Sequence, residues 1–237
     1  MNFHKFLQYN TDNLRLGWDL LEKVSSHAEY YLLQRFPKDK QKELCNVADR
    51  VHMTESVPPN FDLNLVVARG PGGTLGSIET IDLPSEQLIR AVGNPWQGCN
   101  ALKCNVGVIN LISMLPCFPE NVGEFPVQES DLLKDVEYIL SEMKDIPSII
   151  AGDFHMDPNH KEINQLIGDY GFKSYLDSYP TFKTNSGKLI NLDKMISNAD
   201  IKVKDIKVHT ENTKEITQGH YPITYEVSWD LVKNKDK

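Results

Sequence analysis

The chain reads Ile149-Ile150-Ala151-Gly152-Asp153-Phe154-His155 in its second half, an apolar run that ends in a glycine, a carboxylate and, two residues on, an imidazole. A titratable residue also adjoins a strand-like run in two later segments, Asn191-Leu192-Asp193-Lys194-Met195-Ile196 and Gln218-Gly219-His220-Tyr221-Pro222-Ile223. Short apolar runs of this kind are typical of buried strands. The three segments therefore predict strands in a protein core whose ends carry titratable side chains.

Strand and helix patterns fill the rest of the chain. Helical spacing is predicted over 16–31, 129–143 and 162–170, and it is clearest over 129–143, where the apolar residues fall on one face. Residues 61–68 and 74–81 flank a Gly-Pro-Gly-Gly turn, which favours a hairpin over a phosphate-binding loop because no lysine follows the glycines. Strands outnumber helices, so we expect one domain over 1–237, an α/β fold with two packed mixed or antiparallel sheets and helices outside.

The composition limits the classes of protein to which the chain can belong. The 237 residues carry a formal net charge of −8, with 40% hydrophobic and 24% charged residues, as in ordinary soluble domains. No apolar run approaches the roughly 20 residues of a membrane helix, and the N-terminus lacks the apolar core of a signal peptide. The four cysteines show no metal-binding spacing, which favours reduced thiols and a cytoplasmic location. The acidic balance argues against tight, non-specific binding of nucleic acid.

Two N-terminal segments complete a recognisable order of motifs. Phe6 to Asn10 is a short apolar strand candidate that continues through Asp12 to Leu14, and Tyr31-Leu32-Leu33-Gln34-Arg35 is a second apolar run with a polar end. With the three C-terminal segments, the chain resembles the endonuclease/exonuclease/phosphatase superfamily of DNase I-like, metal-dependent phosphoesterases. The resemblance runs from end to end and implies a four-layer α/β sandwich. Its three C-terminal blocks, which the family writes Gly-Asp-Phe-Asn, Ile-Asp-Tyr and Ser-Asp-His-x-Pro, are the most specific part.

The resemblance implies roles for several polar residues. Asn10, Asp153, Asp193 and His220 match catalytic positions, and Asp193 would orient the His220 imidazole toward a phosphate. A carboxylate beside a histidine fixes its tautomer and raises its basicity. Asp12 and Asp153 match positions around the metal and would be its ligands if a metal site persists.

Other positions depart from the family pattern. Arg35 stands where the family has the glutamate that is its principal metal ligand, Gly219 where it has an aspartate, and His155 where it has an asparagine. The middle strand 109–114 also lacks the histidine or tyrosine that many relatives carry near its end. Mg²⁺ requires hard oxygen ligands, and a guanidinium repels it. We therefore expect no cofactor, and Mg²⁺ or Mn²⁺ only if an enzymatic alternative holds.

Arg35 suggests how the site is neutralised without a metal. An arginine beside carboxylates makes bidentate hydrogen bonds and cancels their mutual repulsion. We expect Arg35 to lie among Asp12 and Asp153, with Asp193 near, and to take over the structural role of the missing cation. Arg35 and His155 would then bind the phosphate of a ligand.

A different interpretation of the His155 region stays open. His155, Asp157 and His160 could form a transition-metal cluster. Pro158 and the absence of two histidines at helical i, i+4 spacing argue against it. His155 itself is either a phosphate contact or a tolerated replacement.

Two functions remain open at this point. One is a phosphodiesterase or nuclease that uses an altered site around the Asp193–His220 pair. The other, which the departures favour, is a protein whose hydrolytic activity is lost or strongly reduced and which binds a phosphate-bearing ligand or a protein partner. Fold analogy alone assigns no substrate, so nucleic acid, nucleotide and other phosphoesters are all possible. The loops 93–98 and 116–126 contain no motif that indicates a substrate.

Overall fold

The computed structural model describes residues 2–11, 18–54, 64–85, 100–116, 121–122, 125–126, 128–155, 160–210 and 218–229. Its helices are α1 Trp18–Ser25, α2 Gln41–Val47, α3 Glu129–Met143 and α4 Lys161–Asp169, with a 3₁₀ turn at Lys38–Lys40. No helix in these ranges is long and apolar enough to cross a bilayer.

Most strands belong to two six-stranded sheets. The strands of the first sheet are β1 His4–Asn10, β2 Tyr30–Phe36, β3 Arg50–Met53, β4 Asn64–Arg69, β15 Ile201–Val208 and β17 Ile223–Trp229. The strands of the second sheet are β5 Ile78–Asp82, β6 Asn100–Val106, β7 Ile109–Leu115, β10 Ser148–Asp153, β11 Lys173–Ser174 and β14 Asp193–Ser197. The remaining short strands are β8 Asn121–Val122, β9 Phe125–Pro126, β12 Phe182–Lys183, β13 Leu189–Ile190 and β16 Gly219–His220.

The two large sheets share one topology. Their orders are β15-β17-β1-β2-β4-β3 and β11-β14-β10-β7-β6-β5. In each sheet the central pair is parallel, β1 with β2 and β7 with β10, while the other pairs are antiparallel. A short sheet of order β13-β12-β16 lies beside them.

Side chains alternate between two faces of each sheet, and this alternation builds the layers. In β1, Phe6 packs in the core between the sheets, whereas Leu7 packs with buried residues of α1 and α2. In β10, Ile149 faces the core between the sheets and Ile150 packs with α3 and α4. The order helix, sheet, sheet, helix confirms the predicted four-layer α/β sandwich.

Three local predictions need correction. The glycine turn after residue 69 does not close a hairpin, because β4 pairs in the first sheet and β5 in the second. A glycine turn is equally compatible with a crossover between sheets, so the pattern could not distinguish them. The predicted helix 16–31 ends at Ser25, where Ser26 and His27 turn the chain into β2. The predicted strand 189–196 divides into β13 and β14, which lie in different sheets.

Gly152 marks a close approach between the central strands of the second sheet. A Cβ atom at this position would lie 2.0 Å from the carbonyl oxygen of Met114 on β7. The glycine before Asp153 is therefore needed for the parallel β7–β10 pairing that places Asp153.

We expect Gly152→Ala to lower the free energy of unfolding by roughly 3 kcal/mol, because the new methyl group would push β7 and β10 apart. Urea denaturation measures the change. Gly168→Ala is a matched control, since its Cβ would meet nothing within 4 Å and alanine is favoured over glycine in a helix by about 0.5–1 kcal/mol. Equal stability of Gly152→Ala and wild type would contradict the proposed close approach.

Candidate ligand-binding site

The candidate site lies where the central strands of both sheets end. Asn10 is the last residue of β1 and Asp153 the last residue of β10. Asp193, the first residue of β14, lies opposite Asp153 in the antiparallel register. His220 ends β16, and the chain then turns into β17, whose Ile223 pairs with Gln8 of β1. The carboxyl ends of parallel strands commonly frame ligand sites.

The imidazole ring of His220 lies between two buried carboxylates. Its Nδ1 is 2.9 Å from Oδ2 of Asp193, and its Nε2 is 3.2 Å from Oδ2 of Asp153. The rings of Phe182 and His220 meet edge to face, with centroids 4.7 Å apart. His220 is 6% exposed and the two aspartates at most 1%. The ring therefore bridges the carboxylates and occupies the space between them.

Asp153 is the most heavily hydrogen-bonded side chain of the site. Its Oδ2 accepts a hydrogen bond from Nδ2 of Asn10 at 2.7 Å and lies 3.1 Å from Nδ1 of His155. Its Oδ1 accepts the backbone N–H of His155 at 2.8 Å. With the His220 contact, both carboxylate oxygens are engaged by groups of the chain itself.

The buried charges set the protonation states. Burial lowers the pKa of His220, but Asp193 and Asp153 outweigh it and raise that pKa to about 10. Burial acts to raise the pKa of Asp153, but His155 and His220 hold it well below its ordinary value. Burial raises the pKa of Asp193 against the opposing effect of His220. Burial, with the charges of His220 and Arg35, lowers the pKa of His155 to about 4. Near neutral pH these shifts favour the imidazolium form of His220 and the neutral form of His155.

Unusual backbone conformations occur at three positions of this region. Arg35 and His155 have positive φ angles of 52° and 53°, and Gly219 has φ 148°. Left-handed backbone is uncommon for residues other than glycine and tends to persist at functional sites. The angle at Gly219 also disfavours an aspartate side chain, so the backbone is adapted to the residue that replaces the family's aspartate.

The donors of this site do not fit a divalent ion bound in the manner of the family. The ligand atoms of Asp153, Asp193 and His220 lie within 4.8 Å of one another, but the protonated ring fills the space between the carboxylates. The charge of Arg35 acts on the neighbouring His155, Gly219 offers no side chain, and the oxygens of Asp153 already accept hydrogen bonds. A hard cation such as Mg²⁺ requires several free oxygen ligands, whereas among the described carboxylate oxygens of this cluster only Oδ1 of Asp193 has no hydrogen-bond partner.

The structure brings Asn10, Asp153, Asp193, His220 and His155 into one cluster, as the sequence predicted; their roles stay predictions. Arg35 is the penultimate residue of β2, in a stretch where the pairing with β4 is irregular. Its carbonyl accepts the Thr11 hydroxyl at 2.7 Å, and its charge acts on His155.

Two residues named from the sequence, Asp12 and Asp157, lie outside the described residues. The imidazole of His160 pairs with Glu129, whereas that of His155 contacts Asp153. These different partners do not support the alternative cluster of His155, Asp157 and His160.

Thr181 was not predicted as a site residue, but its hydrogen bonds support the segments that carry Asp193 and His220. Its hydroxyl oxygen accepts the backbone N–H groups of Leu192 and Asp193 at 3.2 and 3.1 Å. Its carbonyl accepts the N–H of Tyr221 at 2.7 Å. Thr181 thus ties the segment that carries Asp193 to the segment that carries His220. A threonine between a proline and a phenylalanine gives no sequence signal for such a role.

Comparisons with known proteins establish the fold. No protein-family model matches the chain, and no curated protein is detectably similar in sequence. Among solved structures, an endonuclease/exonuclease/phosphatase family protein from Leptotrichia buccalis superposes with a TM-score of 0.68 at 16% identity, covering 95% of this chain and 100% of that one. TDP2 of Danio rerio, complexed with a single-strand DNA product, gives 0.66 at 14% identity over 96% and 100%.

A third similar structure is the human Nocturnin catalytic domain with a bound sulfate anion. It superposes with a TM-score of 0.65 at 13% identity and covers 97% of each chain. Likenesses at this identity concern the fold alone. They confirm the predicted resemblance at that level: the chain has the DNase I-like fold of endonuclease/exonuclease/phosphatase proteins.

The bridged imidazole makes a prediction about pH. Its pKa of about 10 lies above the ordinary 6.5. Protonation of His220 therefore stabilises the fold fully below about pH 6.5, and this contribution, on the order of a few kcal/mol, is lost as pH rises through 10. In an NMR titration of the histidine rings, we expect His220 to titrate near 10 and His155 near 4. Titration of His220 near its ordinary value would contradict the bridging arrangement.

Proposed function

We propose that this chain, which has the fold of metal-dependent phosphoesterases, binds the phosphate group of an ester at the cluster around Asp153 and His220, with metal-dependent hydrolysis lost or strongly reduced. The observation that carries the proposal is the imidazole of His220 held between the carboxylates of Asp153 and Asp193, whose charges raise its pKa and favour the imidazolium. It supplies, from the protein, positive charge at a centre where a hydrolase of this fold would place a divalent ion.

The charges beside this imidazolium suit a phosphate. Arg35 lies close enough to lower the pKa of His155, and a guanidinium presents a fork of donors that matches phosphate oxygens. His155 is neutral near pH 7 and has a ring nitrogen on each side, of which Nδ1 contacts Asp153. Because the carboxylates are already paired within the protein, they repel an incoming anion less than free carboxylates would.

Two proteins of the same fold support this class of ligand. The Nocturnin structure contains a sulfate anion, a tetrahedral oxyanion like phosphate, and a TDP2 structure contains a single-strand DNA product. For the present chain we propose a phosphate-bearing ligand such as a nucleotide, a nucleic-acid end or another phosphoester. The net charge of −8 favours a small or end-bound ligand over extended non-specific contact with nucleic acid.

The loss of hydrolysis follows from what the site no longer offers. A divalent ion stabilises charge on the phosphoryl and leaving oxygens, and removal of catalytic groups ordinarily lowers rates by several orders of magnitude. Arg35 and Gly219 replace two acidic residues of the family pattern. The Asp193–His220 pair remains, but Nε2 of His220 lies against Asp153, so we assign the phosphate contacts to Arg35 and His155, which would keep binding while the metal-dependent step is lost.

Calorimetry with inorganic phosphate at neutral pH tests the binding. We expect wild type to bind phosphate and Arg35→Gln to bind it at least about tenfold more weakly, because a charge-assisted hydrogen bond contributes roughly 1.5–3 kcal/mol. Arg69→Gln is a matched control with the same change of charge. Arg69 pairs with Tyr30 at the opposite end of β2 and bonds Asp49, so its substitution should leave phosphate binding unchanged.

The same preparations are assayed for turnover of a phosphodiester and a phosphomonoester in Mg²⁺ and in Mn²⁺. Metal-dependent turnover by wild type would overturn the loss of hydrolysis and favour an active phosphodiesterase that uses the Asp193–His220 pair. Equal phosphate affinity in wild type and Arg35→Gln would overturn the assigned binding site.

A further inference from the structure

Gln8 is a fully buried polar residue in β1, two residues before Asn10. Its side-chain amide crosses the core between the two sheets. Nε2 donates to the carbonyl oxygen of Lys194 at 3.0 Å and lies 3.4 Å from that of Gly152. These carbonyls belong to residues that face each other in the register of β10 and β14.

The position of these carbonyls connects Gln8 to the site. Gly152 and Lys194 are the immediate neighbours of Asp153 and Asp193, which form the next pair in the same register. A primary amide has two hydrogens, so one Gln8 side chain can donate to both strands. Gln8 thus holds the two backbones at the point where each presents its carboxylate.

The other end of the Gln8 amide binds the strand that follows His220. Its Oε1 accepts the hydroxyl of Tyr225 in β17 at 3.3 Å, and burial raises the pKa of Tyr225, so this hydroxyl keeps its proton. Gln8 therefore links β1, β10, β14 and β17. Strand β1 holds Asn10, β10 holds Asp153 and β14 holds Asp193. Strand β17 follows His220 in the chain.

A polar side chain at this position is not explained by packing. Its neighbours along the same face of β1 and β17 include Phe6 and Tyr225, which belong to the apolar core between the sheets. A buried amide is unfavourable unless its donors and acceptor are satisfied, and an apolar residue of similar volume would fill the space without that requirement. Within the described residues, the hydrogen bonds of the Gln8 amide join strands that lead to the site.

We propose that Gln8 is a positioning residue of the candidate site: its amide fixes the separation of the two sheets at the level where His220 fits between Asp153 and Asp193. Its predicted effect on phosphate binding rests on the proposed function, whereas its effect on the His220 contacts does not. The bridging geometry has little tolerance, because each ring nitrogen must stay within hydrogen-bond distance of a different strand.

Two variants test this role. Gln8→Met keeps a long side chain and removes the amide, and Tyr225→Phe keeps the ring and removes the hydroxyl that Gln8 accepts. We expect Gln8→Met to weaken binding of inorganic phosphate about tenfold, the change that roughly 1.4 kcal/mol produces, and Tyr225→Phe to weaken it less. In ¹⁵N-edited NMR spectra at neutral pH, the ring N–H protons of His220 should exchange with water faster in both variants.

Val67→Ala is the control for a general loss of stability. Val67 is buried in the same core, on β4, which β2 separates from β1. It should lower the melting temperature while leaving the His220 resonances and the phosphate affinity unchanged. If Val67→Ala changes them as much as Gln8→Met does, the positioning role is overturned.

The outcomes separate the two proposals. Unchanged His220 resonances in Gln8→Met would overturn the role of Gln8, whatever the phosphate result. Absence of phosphate binding in wild type would overturn the proposed function, while the His220 resonances would still decide the role of Gln8. If Gln8→Met does not fold, Tyr225→Phe decides by the same two measurements.

Discussion

The architecture of the candidate site depends on one arrangement of charge, the His220 imidazolium between the carboxylates of Asp153 and Asp193. Two carboxylates buried this close to each other repel, and each loses its hydration. A cation between them removes the repulsion and gives both a charge-assisted hydrogen bond. The same attraction to the carboxylates raises the pKa of His220. Asn10 and His155 then satisfy the oxygens of Asp153 that the ring does not reach.

This arrangement also limits what the site can do. In hydrolases of this fold a divalent ion supplies the positive charge that a phosphoryl group meets; in the function we propose, His220 and Arg35 would supply it. A protein cation cannot activate a water molecule as a bound metal does, but it can hold an anion. The left-handed backbone occurs at Arg35, near the end of β2, and at His155, just after β10. Preserved geometry together with altered donors is what a binding site derived from a catalytic one would show.

Much of the fold could be predicted from the sequence, because apolar periodicity and the order of the polar strand ends carry that information. Asn10, Asp153, Asp193 and His220 could be identified because each matches a motif position of the superfamily that the chain resembles. The predicted hairpin between β4 and β5 was wrong, because a glycine turn is compatible both with a hairpin and with a crossover between sheets. Gln8 and Thr181 could not be found, because a polar residue in a strand gives no indication of which buried carbonyls it will meet.

The central claim is that the protein itself provides the cation of this site. The most direct test is a crystal structure grown in Mn²⁺ and phosphate, with anomalous diffraction recorded to locate the metal. The account predicts phosphate oxygens beside Arg35 and His155, and no manganese peak within bonding distance of Asp153 or Asp193. A manganese ion coordinated by Asp153, with the His220 ring displaced from between the carboxylates, would contradict it.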